Sequence, residues 1–442
     1  MADWRAIILA AGKGVRMKSD LPKVVHSVCG RPMVRYVINV SLAAGAKPTI
    51  VIGYGREHVE KVIKDCDADI AIQEEQLGTG HAVMAARGAL ESYEGNVIVL
   101  SGDVPLMQPD SLEFIMKAHE EKSPAATIVT CQIGNPDGYG RIVRDGEGAV
   151  QKVVEHADAS ELEKRINEIN TGIYAFRADA MWAALEKIKP ENEQQEYYLP
   201  DVIPVLLEAG EHVEAVKMAN AMEFLGVNDR IQLAEATNIR RKAILARHMA
   251  AGVTIVDPAT TYIEEEVEIG TDSVIYPFTV ISGSVRIGRH CKVGPFSHVR
   301  TGTEMRERSE LGNFCESKKT VIGEGTKAKH LSYLGDGIIG KKANIGAGTI
   351  FANYDGKNKY QTTVKDGAHV GSGTVFVAPC SMGENAVTGA GAIITKNTEI
   401  PPGATYFGMP AVPMRQFVEQ RKMLKEMEKE KKRKASSKGG KK

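Results

Sequence analysis

The apolar positions of the chain follow two different periods. From residue 5 to about 227, short apolar runs alternate with helical patterns. Arg5–Leu9, Thr49–Ile52, Asp69–Ile72, Asn96–Leu100, Ala126–Thr130 and Gly172–Phe176 read as strands, and Met33–Ala43 and His81–Leu90 as helices. Such alternation predicts a mostly parallel α/β sheet, whose ligands bind beyond the carboxyl ends of the strands. Beyond Val253 the period becomes six: Ile269, Ile275, Ile281, Ile287, Val293 and Val299 are evenly spaced. The spacing resumes at Ile339, Ile345 and Phe351, and again at Val370, Phe376 and Met382. This period is neither that of a helix nor that of a strand. It predicts a hexapeptide solenoid, a parallel β-helix with one aliphatic residue per face of each coil.

Between these halves, residues 229–250 read as one amphipathic helix stopped at Gly252. After Gln416 a short helix is expected to fade into a disordered Lys-rich end. The expected division is therefore a first domain over 1–228, a linker helix over 229–252, the β-helix over 253–412 and the tail over 413–442.

Composition narrows the classes. Apolar content of 43% and charged content of 25% are those of a soluble globular protein. Lys+Arg and Asp+Glu both number 56, so bulk charge favours neither nucleic acid nor a membrane as partner. The tail has no aromatic residue after Phe417, which favours a solvated end over a nucleic-acid arm. The six cysteines are dispersed without a C-x-x-C pair, as expected of reduced thiols rather than disulfides or zinc ligands. No apolar run approaches the length of a membrane span and residues 6–11 are too short for a signal sequence, so a cytoplasmic protein is expected.

The candidate chemistry lies at strand ends. Leu9-Ala10-Ala11-Gly12-Lys13-Gly14-Val15-Arg16-Met17 follows the first strand, with Lys23 six residues on. It is no P-loop, because Lys13 is followed by Gly14 and Val15, and no dinucleotide fingerprint, because Met17 stands where the third glycine belongs. A Gly-rich turn flanked by Arg16 and Lys23 suits a polyphosphate. Gln73 to Ala82, with Gly78 and Thr79, offers amides and side chains for a base and phosphates. Ser101-Gly102-Asp103 follows the most apolar strand, and a carboxylate there can hold Mg²⁺ against a phosphate. Gly140, Glu155, Asn170 and Asn228 lie in further segment-end motifs suited to sugar hydroxyls. In the solenoid, Asn313–Lys319 breaks the register with charge, Lys329–Asp336 carries His330 and Tyr333, and Asn353–Lys359 is thrown out as a polar loop. His330 among Arg300, Lys318, Tyr333 and Lys359 is a set suited to a phosphomonoester. The repeat by itself fits an acyltransferase or an assembly scaffold, and such prisms usually trimerise.

In this order the motifs resemble those of the bifunctional N-acetylglucosamine-1-phosphate uridyltransferase/glucosamine-1-phosphate acetyltransferase family. The resemblance implies a Rossmann-like nucleotidyltransferase domain, then a left-handed parallel β-helix. Matched position by position, Leu9, Ala10, Ala11, Gly12, Lys23, Gln73, Gly78 and Thr79 correspond to uridine and phosphate contacts, with Ser101 and Gly102 beside them. Gly140, Glu155 and Asn170 correspond to amino-sugar contacts, and Asp103 with Asn228 to Mg²⁺ ligands. Val15 replaces the signature threonine, and Ser101 a tyrosine found in some relatives. Arg16 and Lys23 are expected to carry the charge that develops on the phosphates.

In the β-helix, His330 corresponds to the general base. Arg300, Lys318, Tyr333 and Asn344 correspond to sugar-phosphate contacts, with Lys359 a basic neighbour. Ala347, Asn353, Tyr354, Ser372 and Ala390 correspond to acetyl-CoA contacts. Where some relatives present an arginine to CoA, this chain reads Phe407-Gly408-Met409, and tail lysines are expected to substitute. The implied substrates are glucosamine 1-phosphate, N-acetylglucosamine 1-phosphate, UTP and acetyl-CoA, and the implied assembly is a homotrimer. The alternative is a single-function nucleotidyltransferase whose solenoid serves only trimerisation or regulation.

Overall fold

The computed structural model describes residues 3–408 and 412–438. Contacts divide the chain into two compact units, Met1–Arg247 with Ile263–Glu266, and His248–Tyr262 with Val267–Lys442.

The first unit is built on a nine-stranded sheet of β1 (Trp4–Ala10), β2 (Ala46–Ile52), β3 (Asp69–Ile72), β4 (Asn96–Ser101), β5 (Ala126–Gln132), β6 (Arg141–Arg144), β7 (Val150–Val154), β8 (Glu168–Arg177) and β9 (Val213–Met218). The spatial order is β9-β5-β8-β4-β1-β2-β3, with β6 and β7 branching from β8 as a hairpin. The central strand β1 is apolar on both faces because both are covered. Ile8 packs with Val34, Val37 and Ile38 of helix α1 (Met33–Ala43), and Ile7 packs in the opposite cluster with Ala82 and Val83. Along the main path one strand runs the other way: β8 is antiparallel to both β4 and β5, and in the side hairpin β7 shares its direction. Its start, at Glu168 opposite Gln132, therefore lies at the edge where its neighbours end, and so does Asn170. The strand expected over 172–176 thus begins four residues earlier.

The helix expected over His81–Leu90 is instead α2 (Thr79–Ala85) followed by a 3-10 turn over Arg87–Leu90. The amide of Ala86 reaches back to the Val83 carbonyl at 3.0 Å, tightening the turn just before the poor helix former Gly88. The connecting helix, α3 (Arg230–Ala250), is capped by Asp229, whose Oδ1 accepts from the amides of Ile231 and Gln232, each at 2.9 Å. Arg230 donates to the Met17 carbonyl at 3.3 Å, so this helix packs as part of the first unit.

In the second unit three parallel sheets of nine, eight and eight strands stack as the walls of a left-handed β-helix. Each strand pairs with the one a full coil later, as in Val274↔Lys292, Ile281↔Val299 and Val267↔Val285. The aliphatic ladder fills the interior: Ile275, Ile281, Val293 and Val299 are fully buried, whereas Ile269 is half-buried. A second ladder of buried hydroxyls lies beside it, many of them donating to backbone carbonyls, as with Ser273 on Gly288 at 2.8 Å and Thr320 on Leu334 at 2.8 Å.

The apparent break after Asn313 is no break in the solenoid. Val299 pairs with Ser317 and Met305 with Ile322, so one coil is a residue short and Ser317 fills an interior position. The loop after Ala352 lengthens another coil, with Ile339 pairing Val364 and Phe351 pairing Phe376. The tail helix α4 (Met414–Lys438) is longer than the short helix expected, and the expected disordered end falls on residues 439–442, outside the described residues.

Candidate active sites

In the first unit the Gly-rich turn leaves β1 and folds back through left-handed backbone at Gly14, where φ is 65°. A Cβ there would lie 2.5 Å from the Lys23 Cβ, so only glycine lets the turn and Lys23 come together. A cavity of about 390 Å³ opens beside it at the ends of β1 and β4. Leu9, Ala11, Gly12, Lys23, Gln73, Gly78, Thr79, Ser101 and Asp103 line it, nine of the expected contacts. Gln76, from the Gln73–Ala82 stretch, and Glu196 also line it, although neither was among the expected contacts. Ala10 is buried in the sheet, and Gly102 holds the edge by donating to the Leu9 carbonyl at 2.9 Å. Gln73 is buried and its amide reaches the Gly78 carbonyl at 3.1 Å and His81 Nδ1 at 3.0 Å.

Five polar side chains meet at the floor. Lys23 Nζ contacts Asp103 Oδ2 in a close ion pair and donates to Asn228 Oδ1 at 3.1 Å, and Arg16 donates to the same oxygen at 3.0 Å. Ser101 Oγ donates to the other Asp103 oxygen at 2.7 Å. Burial pushes the Asp103 carboxyl up, but the Lys23 ammonium and the hydrogen bonds from Lys23 and Ser101 outweigh it, and the group stays below its ordinary range. A buried carboxylate and a carboxamide oxygen already sharing one cation suit a divalent ion completed by phosphate oxygens. Among the described residues no three His, Cys, Asp or Glu side chains cluster as a metal site, so a metal here depends on its ligand for the remaining oxygens.

Gly140, Glu155 and Asn170 come together as a second group. The Asn170 amide donates to the Gly140 carbonyl at 2.9 Å, and a Cβ at Gly140 would stand 3.2 Å from Glu155 Oε1. Glu155 lines a separate cavity of about 430 Å³ with Asp158 and Asp201. Burial, then Asp158 and Asp201, push its carboxyl up.

In the solenoid the expected residues fall on successive coils. Arg300, Lys318 and Lys359 crowd together: the charges of Lys359 and then Arg300 push the exposed Lys318 ammonium below its ordinary value. Three cations in mutual repulsion are a ready site for an anion. Arg300 is held by Glu316 at 2.6 Å. Tyr333 and Asn353 close over Gly335, where a Cβ would lie 2.7 Å from the tyrosine hydroxyl and 2.8 Å from the amide nitrogen. Asn353 is fixed in turn by Asp336.

His330 ends the strand Lys327–His330 with its side chain exposed, and Asn344 begins the next strand of that sheet, paired with Lys327. Ala347, Ser372 and Ala390 fall at equivalent corners of three coils, linked by Gly373 N to Ala347 O at 2.7 Å and Gly391 N to Ser372 O at 2.8 Å. Flanking glycines keep this strip smooth, since a Cβ at Gly371 would meet the Thr388 carbonyl at 2.5 Å. Tyr354 is exposed on the loop, its hydroxyl donating to the Gly356 carbonyl at 2.7 Å. Met409 lies outside the described residues.

The nucleotidyl transferase family model matches residues 5–223. A protein of Carboxydothermus hydrogenoformans named bifunctional protein GlmU is 48% identical over 427 residues, 88% of this chain and 95% of its own. The chain belongs to the bifunctional GlmU family. Relatives of the same name from Syntrophotalea carbinolica and Shouchella clausii are 44% and 43% identical, covering 90% and 88% of this chain and 93% of each of theirs. Among solved structures, a UDP-glucose pyrophosphorylase complexed with UDP-glucose covers 55% of this chain and 100% of its own, at 17% identity and a TM-score of 0.44. Membership in the GlmU family spans both units, so the α/β sheet and the solenoid belong to one architecture.

Proposed function

We infer that the chain makes UDP-N-acetylglucosamine in two steps. It transfers acetyl from acetyl-CoA to glucosamine 1-phosphate, then couples N-acetylglucosamine 1-phosphate to UTP with release of pyrophosphate. The observation that carries this reading is that one chain, matched along both units by proteins named bifunctional, holds two separate groups of side chains: Lys23–Asp103–Asn228–Arg16 and Arg300–Lys318–Lys359. Functionally the chain divides into residues 1–228 for uridylyl transfer, 229–252 as connector and 253–412 for acetyl transfer.

In uridylyl transfer the sugar-phosphate oxygen attacks the α-phosphorus in line while pyrophosphate leaves, and most of the catalysis is positioning and charge stabilisation. The Gly-rich turn and the Gln73–Thr79 segment seat the nucleotide, and Gly140, Glu155 and Asn170 orient the amino sugar. Arg16 and Lys23 bear on the phosphates as charge builds on the leaving oxygen. Asp103 and Asn228 hold Mg²⁺, which when bound supplies positive charge for the triphosphate.

In acetyl transfer Arg300, Lys318 and Lys359 anchor the sugar phosphate, with Tyr333 and Asn344. The His330 imidazole takes the proton from the C2 ammonium, and the freed amine attacks the thioester carbonyl, expelling the CoA thiolate, which takes up the proton the nitrogen loses as the amide forms. The strip of Ala347, Ser372 and Ala390 leaves room for CoA beside Asn353 and Tyr354, and lysines of the tail offer its phosphates positive charge. Thin solenoid cores commonly associate, so the enzyme works as a homotrimer in the cytoplasm. No helix among the described residues is long and apolar enough to cross a membrane.

The test is to follow thiol release with glucosamine 1-phosphate and acetyl-CoA, and pyrophosphate release with UTP and N-acetylglucosamine 1-phosphate, on the one purified chain. Both are expected. Pyrophosphate without thiol would make the solenoid an assembly device only.

A further inference from the structure

The expected roles placed Lys23 on the phosphates and gave Asp103 and Asn228 to the metal, yet the structure joins all three. The Lys23 ammonium touches both oxygens that are to hold the divalent ion, in a close pair with Asp103 and at 3.1 Å from Asn228. Lys23 is about four-fifths buried and Asp103 almost completely so, which makes this ion pair an internal one. We propose that the Lys23 ammonium is a built-in cation that occupies the metal position of the free enzyme and must leave it for the metal to bind.

Two observations support this exchange. Mg²⁺ sits about 2.0–2.1 Å from its oxygens, so an ion bonded to both Asp103 and Asn228 would overlap the space that the ammonium fills. Two like charges at such a separation in a buried site also repel strongly. The pair moreover answers a need of the fold. Gly226 lies against Asp103, where even a Cβ would be 3.1 Å from the carboxylate, and the Asp103 carbonyl accepts from Val227 at 3.0 Å. An unpaired carboxylate here would be costly, and the ammonium keeps the floor assembled until metal and nucleotide arrive. Metal loading then releases Lys23 toward the triphosphate, so the two events are coupled.

The inference rests on the reading of Asp103 and Asn228 as metal ligands, and the test separates the two. Mn²⁺ binding without nucleotide is measured by electron paramagnetic resonance for the wild type, Lys23→Met and Lys23→Met/Asp103→Asn. Lys23→Met is expected to bind Mn²⁺ about tenfold tighter or more, equivalent to about 1.4 kcal/mol, and the double variant to lose that gain. Equal binding by wild type and Lys23→Met overturns the exchange while leaving the metal reading intact. Absence of Mn²⁺ binding by the wild type even with UTP overturns the metal reading, and the exchange with it.

A second measurement needs no variant. Acetylation of Lys23 by acetic anhydride, mapped by mass spectrometry against the exposed Lys117, is expected to rise several-fold at saturating Mn²⁺. An unchanged rate relative to Lys117 contradicts the proposal.

Discussion

Asp103 in the first unit is 5% exposed, and its charge is answered within the chain by Lys23 and Ser101. In the solenoid, His330 is exposed and Lys318 half-buried, and Lys318 has Arg300 and Lys359 as neighbours. The doubly covered sheet can bury a polar centre because strand ends, a Gly-rich turn and the loop around Asn228 surround it. A three-sided prism has an interior one aliphatic ladder wide, so its chemistry must stand on the outside. The first group is therefore preassembled and self-neutralised, whereas in the second like charges stand together at the surface.

The comparison can be broken most forcefully at Asp103. Asp103→Ala should lower kcat/KM of uridylyl transfer by about 10²–10³-fold and leave thiol release unchanged, both read on the same preparation. A loss of both activities would mean that the centres are not independent. At the second centre, Lys318→Ala or Lys359→Ala should raise KM for glucosamine 1-phosphate by about 10–100-fold, the value of a charged hydrogen bond of ~1.5–3 kcal/mol. Each loss also relieves repulsion on the remaining cations, which holds the effect toward the lower end. A smaller change is expected along the smooth strip, where Ala390→Leu should raise KM for acetyl-CoA about fivefold by filling space, the equivalent of ~1 kcal/mol, with pyrophosphate release unaffected.

The smallest effect concerns the acidic cavity behind Glu155. Burial, and then Asp158, push Asp201 up to about 6. Its protonated form is thus favoured by folding, so stability from this group is full at pH below its ordinary value and is lost as pH rises through about 6. Asp201→Asn should accordingly raise Tm by about 2–4 °C at pH 8 and leave it unchanged near pH 4, in a calorimetric scan at both pH values.

Much of this was legible in the residues, for identifiable reasons. The aliphatic ladder repeats because a coil's interior accepts one residue per face, so a regular spacing survives in the sequence. The reversed strand β8 was not legible, since an apolar strand reads alike in either direction and only its pairing with β4 and β5 shows which way it runs. The seeming break at Asn313–Lys319 arose because Ser317, a hydroxyl, fills the regular core position where an aliphatic is expected, and the coil loses one residue between it and Ile322. The candidate residues that gather around the first cavity could be picked out because Gly-rich turns and strand-end carboxylates are local signals. The link of Lys23 to Asp103 and Asn228 joins residues far apart in the chain, and no local pattern encodes it.

The central claim is that two separable transferases share this chain, and His330 tests it most directly. Thiol release and pyrophosphate release are measured side by side for the wild type and His330→Ala. The expected result is that both appear in the wild type, and that the variant loses acetyl transfer by about 10²–10⁴-fold with uridylyl transfer intact. A wild type that releases no thiol, or a variant that keeps it, would contradict the account.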